Sequence, residues 1–295
     1  MKMLDSAALM DRLSDLVNEW RDLYVIGSGQ EVRNKRRRIK DLQTFLWTER
    51  IAQPHDITWQ KIQHYLNQAA AAGDCHSTIK HKKSAISLFC KHLLKCGALN
   101  HNPVLDCHNP LREPAVMPHY LTDSQVHEVI QESLLIGRKK NVDLYRPVLL
   151  GLCAGLSVHE IRITQCKWFD FDSRIIRPYR PKVNKYRTIS MHPLIHKEFL
   201  PLQGPPEHYL FHKGDPTKPL SIKTWHWRMN WIQYRCKYLR GWHDLRRTLG
   251  VRLSKADVVP QKIQRILGHA NISTTMKHYG NFMDNEYDAD IEKAF

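Results

Sequence analysis

Apolar positions recur at helical spacing through the first part of the chain. Leu9, Leu13, Leu16, Val17, Trp20, Leu23 and Tyr24 fall on one face of residues 8–24, predicting an amphipathic helix with Trp20 in the core. After the Gly27-Ser28-Gly29 break, Ile39, Leu42, Phe45 and Leu46 form the stripe of a second helix. Asp56-Ile57-Thr58 opens a third, ending in Ala69–Ala72 and Gly73. Ser77 is placed to cap a fourth, with Ile79, Ile86, Phe89 and Leu93 inward, Lys80, Lys82, Lys83, Lys91 and Lys95 outward, and Gly97 closing it. These four helices predict a small all-α module over residues 1–103.

The periodicity lapses across residues 104–119, where Pro103, Pro110, Pro114 and Pro118 mark a linker. A second domain over 120–283 opens at Thr122, which forms a capping box with Gln125. An apolar helix follows over Tyr145–Ala154. Residues 175–180 and 186–191 read as two short strands around a hairpin tip at Lys182-Val183-Asn184-Lys185. Ile222, Trp225, Trp227, Trp231 and Tyr234 predict an aromatic core helix. Gly268 reads as the cap of a helix from Pro260 to Leu267, and a short helix from Ser273 carries Tyr279 near its end. The fold class expected is therefore mainly α with a small β-hairpin or sheet (α+β), in two domains.

Composition narrows the function. The chain has 295 residues, enough for two cores, with a net charge of +16. Residues 1–110 carry +5, residues 111–283 carry +15, and the tail over 284–295 carries −4. Such an excess points to a polyanionic partner, nucleic acid before membrane, since no basic amphipathic helix with an aromatic face stands out. With no long apolar run and no apolar signal core, the expected location is the cytoplasm, on the nucleoid if bacterial. Seven cysteines without a CxxC pair argue for reduced, buried thiols rather than disulfides or zinc. The tightest metal-like cluster, Cys90, Cys96, His101, Cys107 and His108, matches no common zinc spacing, so no metal and no cofactor are expected. Absent too are a Gly-rich phosphate loop and a carboxylate cluster, which leaves an ATPase or a two-metal nuclease without support.

The candidate chemistry lies in His243-Asp244-Leu245-Arg246-Arg247-Thr248, then Leu267-Gly268-His269, then Tyr279 ten residues past that histidine. Attack on a phosphodiester needs an oxygen nucleophile, cationic donors for the developing charge and an acid for the leaving oxygen. His243 and Arg246, three apart, share a helix face and can address one phosphate together. The ordered set closely resembles the tyrosine recombinase and phage integrase family. The resemblance continues through Ala154-Gly155-Leu156-Ser157, through Cys166-Lys167-Trp168-Phe169-Asp170, through the hairpin Pro181–Arg187, and into the N-terminal module, which resembles the family's core-binding domain.

That resemblance implies a C-shaped clamp on DNA and a reaction without metal or ATP. Tyr279 would form a 3′-phosphotyrosyl link, Lys182 would protonate the leaving 5′ oxygen, Arg246 would bind the phosphate, and His243 and His269 would assist. Expected DNA contacts are Arg33, Lys35, Arg36, Arg37, Lys80, Lys82, Lys83, Lys185, Arg187 and Arg247. Implied partners are double-stranded DNA, further protomers as a dimer or tetramer linked through C-terminal tails, and other proteins of a mobile element. One position departs: directly after Gly155-Leu156, where the family carries its first catalytic arginine, this chain has Ser157. Arg162 and His159 are the nearby candidates to replace it. The departure raises a rival reading, a recombinase fold that has lost cleavage and only locates a DNA site as target selector for a mobile element.

Overall fold

The computed structural model describes residues 6–27, 29–114, 117–180 and 184–282. The chain divides into two compact units, residues 1–115 and 116–295. Lys182, Tyr287 and the acidic tail lie outside the described residues.

The first unit holds α1 (Ser6–Tyr24), α2 (Gly29–Thr48), α3 (Trp59–Ala71) and α4 (His76–Lys95); Leu13, Val17, Trp20, Ile39, Leu42 and Phe45 of the expected stripes are buried, whereas Leu23 at the end of α1 is exposed, a correction to its place on the inward face. Phe45, Ile62, Leu66, Ile79, Phe89 and Leu93 are fully enclosed. Trp20 stacks on Tyr24 at 5.0 Å and leans on Phe89 at 5.4 Å. Thr58 caps α3, its side chain accepting from the Lys61 N–H. The α4 cap differs from expectation: Cys75 occupies it, and Ser77 lies inside the first turn with its hydroxyl 3.2 Å from the Cys75 thiol. The linker also begins later than expected. Pro103–Asp106 forms a 3-10 turn capped by Asn102, and Val104 and Cys107 belong to the first unit's core. Apolar side chains at 104 and 107 give that stretch a burial gain which its prolines alone do not reveal.

The second unit opens with α5 (Asp123–Lys140), capped by the reciprocal Thr122–Gln125 box, and continues through α6 (Tyr145–Ala154) and α7 (Val158–Arg162). Two-residue strands follow: β1 (Phe169–Asp170), β2 (Ile175–Ile176), β3 (Tyr179–Arg180), β4 (Lys185–Tyr186) and β5 (Ile189–Ser190). Each of the two expected strands is thus broken in the middle. β1, β2 and β5 make one antiparallel sheet, while β3 and β4 pair separately, Tyr179 opposite Tyr186 and Arg180 opposite Lys185. The remaining helices are α8 (Pro193–Phe199), α9 (Ile222–Arg235), α10 (Trp242–Lys255), α11 (Pro260–Leu267) and α12 (Ile272–Tyr279).

On α9 only part of the aromatic set is core. Trp225 is sealed edge-on between Phe211 and Trp242, whereas Trp227 and Tyr234 are exposed. The thiols also divide: Cys90, Cys107 and Cys236 are buried and Cys153 and Cys166 half-buried, but Cys75 and Cys96 are exposed, a correction to the expectation that all are interior. Among the described residues no helix is long and apolar enough to cross a membrane.

The most extensive helix seam of this unit is α6 against α10. A Cβ added at Gly151 would lie 2.9 Å from the Leu245 Cβ and 3.0 Å from its Cδ1. Since both sit on helices fixed by a closed core, neither can yield cheaply. Gly151→Ala should destabilise the chain by about 1–3 kcal/mol, the usual cost of overpacking, despite alanine's better helix propensity. Gly204→Ala, whose added Cβ meets only the Cys166 sulfur at 3.8 Å, is the control. Thermal unfolding checks this, and equal midpoints for the two variants would refute it.

Candidate active site

α10 carries His243, Arg246 and Arg247 on one side. The Gly268 cap of α11 carries His269, and α12 ends at Tyr279. These residues, with Ser157, Glu160, Arg180, Thr274 and His278, line one pocket. Gly268 stands at φ +66°, where glycine escapes the Cβ penalty, and a Cβ there would come within 3.0–3.1 Å of the Arg180 and Arg187 side chains. The glycine therefore both turns the chain toward His269 and leaves room for two guanidinium groups.

Arg246 is nearly enclosed. One terminal nitrogen donates to the Gly155 carbonyl at 2.6 Å, and the other donates to the Leu267 carbonyl. Its first nitrogen also lies 3.8 Å from the Glu160 carboxylate. Burial pushes its pKa down to about 10 while Glu160 holds it up, so it stays charged at neutral pH.

Glu160 is the carboxylate at the centre. One oxygen accepts from both the Ser157 N–H and the Ser157 hydroxyl at 2.8 Å. The other accepts from Arg187, and the Arg180 Nε lies 3.8 Å from it. Burial alone would raise the Glu160 pKa, but Arg187, the Ser157 N–H and Arg246 outweigh it and hold the group below the ordinary range. Ser157 is consequently the N-cap of α7, its hydroxyl committed to Glu160 in a capping box.

Tyr279 is 3% exposed and seats its ring over Gly250, where an added Cβ would come 2.4 Å from the ring and 2.8 Å from the hydroxyl. The Ser254 hydroxyl donates to the Tyr279 carbonyl at 2.8 Å, tying the end of α12 to α10. Burial raises the phenol pKa, with Arg246 and Arg247 opposing. The His269 ring lies parallel to that of Tyr279 at 6.2 Å, and its Nδ1 lies 2.9 Å from the Thr275 hydroxyl. Burial and the surrounding cations, Arg246 foremost, hold His269 down to about 4. His243 is lowered by partial loss of water and by Arg246 and Arg247. Both imidazoles are neutral at pH 7. With Thr275 engaging Nδ1, His269 presents Nε2 to the pocket as donor or acceptor, according to tautomer.

Tyr279, Arg246, His243, His269, Ser157 and Arg247 thus meet in one place, Arg247 being paired with Asp244 at 3.2 Å. Arg187 does not fit its expected role as a backbone contact. Its side chain is 8% exposed and spent on Glu160 and the Gly155 carbonyl. Neither Arg162 nor His159 lines the pocket. The Arg162 Nε is buried without a hydrogen-bond partner.

In the first unit, Arg33, Arg36, Arg37 and Lys80 are exposed, and so is Lys185 in the second. Lys35 is folded back onto the Ile26 carbonyl and Glu31. Lys82 pairs with Asp74 at 2.6 Å over the Tyr65 ring, and Lys83 donates to the Cys107 carbonyl. In all three a flexible cation bonds a carbonyl or carboxylate of its own unit. The residues missed in sequence are Glu160, Arg180, Thr275 and His278. The Ser157-x-x-Glu160 spacing was a usable signal for the first. As for metals, the cysteine-rich cluster of α4 does not converge. Among the described residues only Glu19, His92 and Cys96 bring donor atoms together, within 4.8 Å and far in sequence from the pocket.

The fold has known counterparts. A Tn1549 transposon integrase in complex with circular intermediate DNA matches with TM-score 0.72 at 18% identity, covering 95% of this chain and 99% of that one. The same integrase with transposon right end DNA gives 0.74 at 18% identity, covering 95% and 98%. A lambda integrase dimer bound to a COC′ core site gives 0.67 at 16% identity, covering 93% and 78%. No curated protein matches the chain by sequence. The model of the phage integrase family matches residues 119–286, the stretch that contains the whole pocket and more than half of the chain, and the protein belongs to that family.

Proposed function

We propose that the protein is a site-specific DNA strand transferase of a mobile element, working through a 3′-phosphotyrosyl intermediate. The observation that carries this is the convergence of Tyr279, Arg246, His243 and His269, from separate elements of one unit, on a single cationic pocket. The Tyr279 oxygen bonds the phosphorus as the P–O5′ bond breaks. The phenolic proton passes to a neutral imidazole, for which the ring-stacked His269 is placed, and the leaving 5′ oxygen takes a proton from Lys182 of the hairpin tip. Arg246, fixed by two carbonyls, holds a non-bridging oxygen without reorganising. A 5′ hydroxyl of another strand reverses the step, so exchange needs duplex DNA and further copies of the chain, as a dimer or tetramer.

The second reading, a target selector without cleavage, is favoured by Ser157 alone. A serine hydroxyl already bonded to Glu160 offers a phosphate nothing comparable to an arginine fork. Selection of bound duplexes from a random DNA library, followed by denaturing gels for covalent adducts, separates the two.

Binding to a selected duplex should weaken steeply with salt, the logarithmic slope falling by about 0.9 for each phosphate contact removed. Lys80→Glu and Arg36→Glu should each flatten that slope. Lys82→Glu, by breaking the Asp74 pair, should instead lower the thermal midpoint; unchanged slopes for the first two would take α2 and α4 off the DNA.

With a nick beside the scissile phosphate, wild type should trap a denaturant-resistant adduct and Tyr279→Phe should trap none, both retaining duplex affinity. An adduct surviving that substitution would move the nucleophile elsewhere, with Tyr287 the first residue to test.

Because the folded His269 sits near 4 and an unfolded histidine near 6.5, the unfolded chain binds more protons between those values. The stability contributed by a neutral His269 is fully present above about pH 6.5 and is lost as pH falls toward 4. The thermal midpoint should therefore drop over that window in wild type and less so in His269→Gln. Parallel curves would show that His269 titrates normally.

A further inference from the structure

The pocket holds more positive charge than it neutralises. Arg180, Arg187 and Arg246 surround one carboxylate, Glu160, so two positive charges remain once that pairing is counted. Arg247 is balanced by Asp244, and burial together with the neighbouring cations holds all three pocket histidines, His243, His269 and His278, below the ordinary imidazole range. Two unpaired cations around a cleft suit a phosphodiester, which carries one negative charge at rest and approaches two in a five-coordinate transition state. Arg246 is one of the two.

The other follows from what each remaining guanidinium is bonded to. Arg187 is buried and donates to Glu160 and to the Gly155 carbonyl. Arg180 is different. Its only ionic neighbour among the described residues is Glu160 at 3.8 Å, beyond hydrogen-bonding distance, and its side chain is 24% exposed and lines the pocket with Ser157, Arg246 and Tyr279. Its terminal nitrogen rests against Gly268, at 3.0 Å from where a Cβ would stand, beside the backbone that delivers His269. The β3–β4 register, with Arg180 opposite Lys185, holds it on the paired strands of the hairpin. Arg180 thus lines the same pocket as Ser157, beside the same carboxylate that an arginine at 157 would meet.

We propose that Arg180 supplies the phosphate-binding guanidinium missing at Ser157, so that the pocket keeps two arginines on the scissile phosphate although one now comes from the hairpin rather than from α7. The inference rests on the strand-transfer reading above. It makes Ser157 a relocation of the cation, not a loss.

The test uses the full chain and the library-selected duplex, nicked beside the scissile phosphate, with single-turnover adduct formation as readout. Arg180→Ala should slow it by about 10²–10³, the range for removing one preorganised donor, with duplex affinity within about threefold of wild type. Two further results separate phosphate binding from a structural role. Ser157→Arg added to Arg180→Ala should restore the rate to within about tenfold. A neutral methylphosphonate at the scissile position, which removes the charge the guanidinium would meet, should narrow the gap between wild type and Arg180→Ala. An Arg180→Ala variant as fast as wild type overturns the proposal, as does equal slowing on the charged and neutral substrates. If Ser157→Arg forms adduct and wild type does not, Arg180 fails to substitute while the strand-transfer reading stands. If none of the variants forms adduct on a duplex they all bind, the strand-transfer reading falls and this inference with it.

Discussion

A buried carboxylate must be matched by donors from its own surroundings, and in this protein that constraint gathers most of the second unit around Glu160. Its oxygens take two hydrogen bonds from Ser157, one from Arg187, and the fields of Arg180 and Arg246. Through them the start of α7, the β3–β4 hairpin and α10 meet at one point. Removing one partner of such a cluster leaves an uncompensated charge, which typically costs 3–5 kcal/mol, whereas the intact cluster adds little net stability. Its value lies in position: a guanidinium held by carbonyls and a carboxylate cannot relax toward solvent, and so stays oriented within the pocket.

Close approach supplies the rest of the geometry. Gly151 lets α6 meet α10, Gly250 lets the Tyr279 ring lie on α10, and Gly268 admits two arginines beside His269. Each small residue stands where something larger must come near. The Ser254 bond to the Tyr279 carbonyl then fixes the end of α12, so the tyrosine is seated on the helix that also carries His243 and Arg246.

The same crowding sets the proton inventory. Burial, and after it the pocket cations, depress His243 and His269, and burial raises Tyr279. The pocket therefore sets a phenol that resists ionisation beside an imidazole that resists protonation.

Local patterns in the chain determined a good deal: the four N-terminal helices, the Thr122–Gln125 box, the Gly268 cap, and the ordered set His243, Arg246, His269 and Tyr279. All are encoded in short spacings, where helical periodicity and cap chemistry act within one or two turns. Strand breaks at 177–178 and 187–188, the burial of Val104 and Cys107, and the turn of Lys83 onto the Cys107 carbonyl depend on the folded unit rather than on local spacing. The fate of the cations is the clearest instance. Arg180, Arg187 and Lys185 look alike in sequence, three basic residues about a hairpin, and nothing local separates them. Only the folded unit brings Glu160 and the Gly155 carbonyl beneath the hairpin, so that one arginine is consumed as a counter-ion, its neighbour is left facing the pocket and the lysine stays in water. Coulomb energy depends on the distance and burial that tertiary structure creates, and sequence spacing carries neither across twenty residues of intervening chain.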